Sequence, residues 1–189
     1  KINHVGQGGE EYTFILGITL DEDNNEMFIN DNLSRKILVY DLEGNFKRSF
    51  KHKEGTMYDK IYNFDQDNLL CHDGYSSNNG EANEQSFMLI SKSNGNITKE
   101  IRIPFNKKIL TAVLLQDPKN GMTYGATPSS DYPIIPIHNN WILIEPSSDT
   151  LFTFSSDLQL KPFIIRKPSI ESMNPETFLF ISSVTDRYC

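Results

Sequence analysis

The stretch "ILVYDLEGNFKRSF", residues 37–50, decides the fold. Ile37, Val39 and Asp41 alternate with Leu38, Tyr40 and Leu42, as side chains do on the two faces of a β-strand. Glu43-Gly44-Asn45 then interrupts the run. Phe46, Arg48 and Phe50 open a second alternation. Glycine takes positive φ at no steric cost and asparagine tolerates it, so the sequence predicts two strands joined by a tight hairpin.

That hairpin recurs. "LISKSNGNI" (89–97) repeats "VYDLEGNF" (39–46) with one extra residue, and "TFSSDLQL" (153–160) is a looser copy. A second type of hairpin precedes each of them. "FILGITLDEDNNEMFIND" (14–31), "KIYNFDQDNLLCHD" (60–73) and "YPIIPIHNNWILIEP" (132–146) each read as strand, polar turn, strand, and "TFLFISSVTDRY" (177–188) begins another. The repeating unit is therefore four strands. Copies are predicted at 13–52, 58–104 and 131–167, with an incomplete one at 176–189 and an insertion at 105–130. Four-stranded units of ~40–50 residues are the signature of a β-propeller blade. The fold class expected is all-β: a partial propeller ring of three antiparallel blades plus parts of two others. Within the insertion, "KKILTAVLL" (107–115) fits a helical turn or an extra strand. "QDPKNGMTYGATPSSDYP" (116–133) has the Gly, Pro and Ser content of a long loop.

Composition narrows the partners. The 189-residue chain carries a formal net charge of −7, which repels phosphate backbones and argues against nucleic acid. Lys47-Arg48, Lys51 and Lys53 form its most basic stretch, and strand alternation spreads them over a solvated surface. The 12 Phe and 8 Tyr supply core and argue against disorder. No segment reaches the ~18 apolar residues of a membrane helix. The opening "KINHVGQGGEEY" (1–12) reads as the end of a strand, which leads to the expectation of a trimmed chain. Cys71 and Cys189 have no CxxC or zinc-type spacing; a disulfide and a buried Cys71 thiol both remain open.

From Gly6-Gln7-Gly8 and Glu11-Tyr12, through the acidic turn 21–25 and Phe28 to Asp31, to "KILVYDLEGNF" (36–46), the chain resembles the NHL-like six-bladed β-propeller proteins abundant in Bacteroides and relatives. The resemblance implies an extracytoplasmic or surface-attached protein, often a lipoprotein, that binds a protein, peptide or glycan.

No motif specifies a reaction. "DEDNNE" (21–26) lacks the Gly and Glu that an EF-hand loop requires and reads as an exposed hairpin turn. "GQGG" (6–9) lacks the Lys-Ser/Thr of a phosphate loop and reads as a flexible connection between blades. His4, His52, His72 and His138 are isolated, and Cys71 and His72 point to opposite faces of one strand. No metal or cofactor is expected from spacing, although propeller metal sites are assembled from several blades. The second strand of each copy ends in polar residues, which a propeller gathers on one face. The candidate ligand-binding residues are thus Asp31, His72, Asp73 and Glu145, with Tyr75 in the long connection 74–85. The expected function is a non-catalytic binding scaffold. The alternatives are a metal-dependent lyase or lactonase-like enzyme and a structural subunit of a cell-surface assembly.

Overall fold

The computed structural model describes residues 5–6, 8–73, 77–78, 81–82, 85–109, 113–126, 132–138, 140–174, 181 and 184. The chain divides into two compact units, Lys1–Arg102 and Ile103–Cys189.

In the first unit, β1 (Ile15–Asp21), β2 (Glu26–Asp31), β3 (Lys36–Tyr40) and β4 (Phe46–Lys51) form one antiparallel sheet in sequence order. They are followed by β5 (Lys60–Asn63), β6 (Asn68–His72), β7 (Ser77–Asn78), β8 (Glu81–Ala82), β9 (Phe87–Ser91) and β10 (Ile97–Ile101). A second sheet has the order β5-β6-β9-β10, and β7 and β8 form a small ribbon between β6 and β9. The second unit holds the ribbon of β11 (Val113–Gln116) and β12 (Thr123–Ala126). Its third four-stranded sheet is β13 (Ile134–Ile137), β14 (Asn140–Leu143), β15 (Thr150–Ser155) and β16 (Leu160–Ile165), again in sequence order.

Central and edge strands read differently because they are covered differently. All five residues of β3 are buried, so "KILVY" is a continuous apolar run behind one lysine. The outer strand β4 is covered on one face only, and its half-buried Phe46, Arg48 and Phe50 alternate with exposed Lys47, Ser49 and Lys51. The turn between them is the tight hairpin expected: Asp41 and Gly44 amides donate to the Asn45 and Asp41 carbonyls, with Gly44 at φ 92°. Ser91 donates to Asn96 and Ser155 to Gln159 in the two later copies.

The main core of the first unit lies between its two four-stranded sheets. Phe28, Ile37 and Val39 face Tyr58, Leu69, Cys71, Met88 and Ile90, all buried; each such side chain contributes about 1.5–3 kcal/mol on burial. Cys71 is a free thiol, and Cys189 lies outside the described residues. On the opposite face of the first sheet, Ile29, Leu38 and Tyr40 pack with Tyr12 and Ile15. The preceding segment lies over them: Lys36 Nζ donates to the Gly8 carbonyl at 2.6 Å and Tyr40 Oη to that of Glu10 at 2.8 Å.

Three sequence expectations are corrected. The acidic turn at 21–26 is a hairpin, but Asp21 and Glu26 are buried rather than exposed. Lys92 Nζ, reaching over from the second sheet, lies 2.5 Å from Asp21 Oδ2. Lys47 and Arg48 are not simply solvated: both reach Glu26, Arg48 with two bonds of 2.7 Å. A bidentate pair of this kind is stronger than a single charge contact. Finally, the loop expected at 116–133 contains β12, paired with β11 from Val113↔Ala126 to Gln116↔Thr123. Its turn closes through Asp117 and Gly121 amides, with Gly121 at φ 70°.

Candidate functional site

The polar strand ends were expected to face a ligand. The structure employs three of them internally. Asp31, the last residue of β2, is fully buried. Its carboxylate accepts the Thr13 amide at 2.8 Å, the Phe14 amide at 3.0 Å, and the Thr13 hydroxyl at 2.8 Å. Burial pushes the Asp31 carboxyl up, but the Thr13 and Phe14 amides and the Thr13 and Ser34 donors outweigh it, holding it below the usual range. Asp73 repeats the arrangement one sheet later and accepts the Met57 amide at 3.2 Å. In both sheets the carboxylate fixes the chain just before it enters the first strand.

Glu145, in the second unit, lies two residues beyond β14 and is also buried. Lys108 Nζ sits 2.7 Å from Oε2, and the Ser147 amide donates to Oε1 at 3.1 Å. Burial raises its pKa, and Lys108 and Ser147 bring it net below the usual carboxylate value. Tyr75 lies outside the described residues.

His72 is placed differently. Its Nδ1 is 2.7 Å from Asp59 Oδ1, and its ring packs on Phe87 with centroids 4.9 Å apart. The Asp59 amide also donates to the His72 carbonyl at 3.0 Å. The contact with the Asp59 carboxylate holds the imidazole in one orientation. Nε2 makes no hydrogen bond among the described residues.

Beside Phe87 a groove of about 400 Å³ opens, within the size range of small-ligand pockets. It is lined by Lys53, Glu54 and Thr56 from the connection between the first two sheets, by Phe87 from β9, and by Glu100 and Arg102 at the end of β10. These residues come from three separate stretches, and no local motif marks them. A second arrangement that sequence reading missed joins the two sheets at this end. His52 Nδ1 accepts the Tyr58 amide at 3.3 Å, His52 Nε2 meets Asn30 Oδ1 at 3.1 Å, and Asn30 Nδ2 donates to the Tyr58 carbonyl at 2.8 Å. Burial, helped by the Arg35 charge, lowers the His52 pKa to about 4. Its imidazole is therefore neutral, with the proton on Nε2.

Sheets of four antiparallel strands, recurring along the sequence, define this chain as a partial β-propeller. It belongs to the DUF5128 family, described as a 6-bladed beta-propeller, whose model matches residues 1–177. Among solved structures it is similar to a Bacteroides fragilis protein described as exported, with a TM-score of 0.57 and 14% identity over 86% of this chain. The chain spans 40% of that protein's length. Similarity to BamB from Moraxella catarrhalis is lower: TM-score 0.37, 10% identity, 76% of this chain and 50% of that one. So is similarity to virginiamycin B lyase from Staphylococcus aureus: TM-score 0.35, 14% identity, 81% and 56%. No curated protein matches the chain in sequence. Among the described residues, no helix is long and apolar enough to cross a membrane.

Proposed function

We propose that this chain is part of a non-catalytic binding scaffold outside the cytoplasm, and that it takes a peptide or glycan at the groove lined by Lys53, Phe87 and Arg102. The observation that carries this reading is the groove itself. Its lining combines the apolar residues Phe87, Met88 and Ile97 with charged groups of both signs, Lys53, Glu54, Glu100 and Arg102. The mixture suits a polar ligand with apolar faces better than a strongly charged one. Asp31, Asp73 and Glu145 support the site as scaffold residues, holding the strand entries. The exported description of the Bacteroides fragilis relative supports a location outside the cytoplasm.

The test is a thermal-shift screen of oligosaccharides and peptides, followed by calorimetry on the wild type and on Lys53→Ala and Arg102→Ala. Binding that weakens at least tenfold in those variants is expected. A ligand that binds all three proteins equally, or no ligand at all, overturns the assignment. The His72–Asp59 pair favours a second reading, because an imidazole held by a carboxylate is the arrangement of a general base. Under that reading His72→Gln abolishes turnover of a bound ligand; under the first, no turnover is seen in either protein.

A further inference from the structure

The groove at Lys53 and Arg102 continues past Ile97. A second cleft of about 560 Å³ shares Lys53 and Ile97 with it and runs on to His52 and residues 94–96. Both lie within the first unit. Together they flank β10 along its whole length, from Asn96 to Arg102. That is about 20 Å, the reach of about six residues of extended chain. A β-bulge between Ile97 and Lys99 sets Ile97 opposite Ile90 and Glu100 opposite Met88. Ile90 and Met88 belong to the core between the two sheets, so Ile97 and Glu100 stand on the groove side of β10. The facing segment, 51–56, is fixed in advance. The His52 amide donates to the Arg35 carbonyl at 2.8 Å, and the Thr56 amide and hydroxyl donate to that of Lys53 at 3.0 and 2.8 Å. A preformed wall loses little freedom on binding.

Charge and exposure select the ligand. Lys53 and Glu54 are exposed and make no ion pair among the described residues. Glu100 and Arg102 are 3.5 Å apart with 45% and 78% of their side chains exposed. Such a contact is worth little in water, so both exchange partners at small cost. The two aromatic rings of the described lining, Phe87 and His52, are 1% and 6% exposed, and neither offers a face on which a sugar could stack. Exposed Asn96 carries a side-chain donor and acceptor, the two groups that a peptide unit also presents. We propose, taking the groove as the ligand site, that its ligand is an extended peptide of about six residues bearing charges of both signs. Its acidic side chain lies at Lys53. Its basic one lies at the other end, where Glu54 and Glu100 outnumber Arg102. Half-buried Ile97, common to both stretches, seats an apolar side chain beside the acidic one.

The experiment is fluorescence anisotropy of the 189-residue chain with labelled, end-blocked hexapeptides of Val and Thr. Four peptides are compared, carrying one Asp, one Lys, both, or Ser at both places. The peptide with both charges is expected to bind at least about tenfold tighter than the Ser peptide and to lose that advantage in ~0.5 M sodium chloride. Lys53→Glu is expected to abolish the preference for Asp and keep that for Lys; Glu54→Lys/Glu100→Lys is expected to do the reverse. All three positions are exposed, and circular dichroism checks that the fold is kept. Equal binding of the four peptides, or charge preferences that the substitutions leave untouched, overturns the proposal. Oligosaccharide binding that is lost in Lys53→Ala, with no peptide bound, also overturns it but keeps the groove as a binding site. Binding of neither class removes the site itself.

Discussion

Lys92 Nζ and Asp21 Oδ2 meet 2.5 Å apart across the first two sheets, with 5% and 1% of their side chains exposed. The lysine also donates to the Asp65 carbonyl at 2.5 Å. Burial alone raises the Asp21 pKa; the bonds from Lys92 and Asn24 outweigh it and hold the carboxyl below its ordinary value of 3.8. Removing one member of such a pair strands the other charge. Lys92→Met is expected to destabilise the first unit by about 3–5 kcal/mol, while Lys92→Met/Asp21→Leu recovers much of the loss. Urea midpoints of the three proteins check this, and equal losses in the single and double variants would refute it.

Acid is expected to weaken the chain in two stages. His52 has a folded pKa of about 4 against an ordinary 6.5. The unfolded chain therefore takes up the proton first, and stability present above pH 6.5 is lost as pH falls toward 4, by about 3 kcal/mol. Asp21 and Asp31, depressed from 3.8, contribute stability above that value that is lost below it. His52→Gln is expected to remove the upper stage and keep the lower one. Denaturant titrations at about pH 7, 5.5, 4.5 and 3 separate the two, because the first three span the His52 window and the last lies below the ordinary carboxylate value of 3.8.

Asp31→Ala removes the acceptor that the part-buried Thr13 and Phe14 amide bonds share. A loss of about 3 kcal/mol is expected, with Asp31→Asn intermediate because it retains one carbonyl oxygen. Hydrogen exchange should show the protection lost first at residues 13 and 14. Uniform loss across the first unit would argue against a local capping role.

Gly95 sits at φ 75°, and an added Cβ would run into the Phe50 ring. Gly121 has a similar φ of 70° but open space around it. Both alanine variants carry backbone strain of about 1 kcal/mol; Gly95→Ala adds a clash and is expected to cost about 1–3 kcal/mol more. Comparing the thermal midpoints of the two variants isolates that difference.

Burial pushes the Cys71 thiol pKa well above its ordinary value of 9.0. In a Cys189→Ser background, Cys71 is expected to resist thiol reagents in the native state and to react at the rate at which the two sheets separate. Prompt labelling at neutral pH would contradict its burial.

Strands were legible where burial and turn chemistry agreed. "KILVY" is apolar because both of its faces are covered, and Gly44-Asn45 supplies the positive φ that its turn needs. β12 was hidden because "TYGA" is embedded in Gly, Pro and Ser, and only its pairing with "VLLQ" makes it a strand. The side-chain roles were less legible, because they depend on distant partners. Asp21 looks like a turn residue until Lys92 arrives from 71 positions away. Asp31 and Asp73 looked ligand-facing because sequence does not show that the amides of Thr13 and Met57 come to meet them. The groove was invisible for the same reason: Lys53, Phe87 and Arg102 become neighbours only after two sheets have paired.

The clasp on the opening segment has a consequence for synthesis. Lys36 and Tyr40 grip main-chain oxygens, those of Gly8 and Glu10, so the grip is indifferent to the side chain at position 10. Each clasping residue follows its target by 28 or 30 positions. On the ribosome the segment emerges well before anything exists to hold it, and it settles only after β3 has found its place in the sheet.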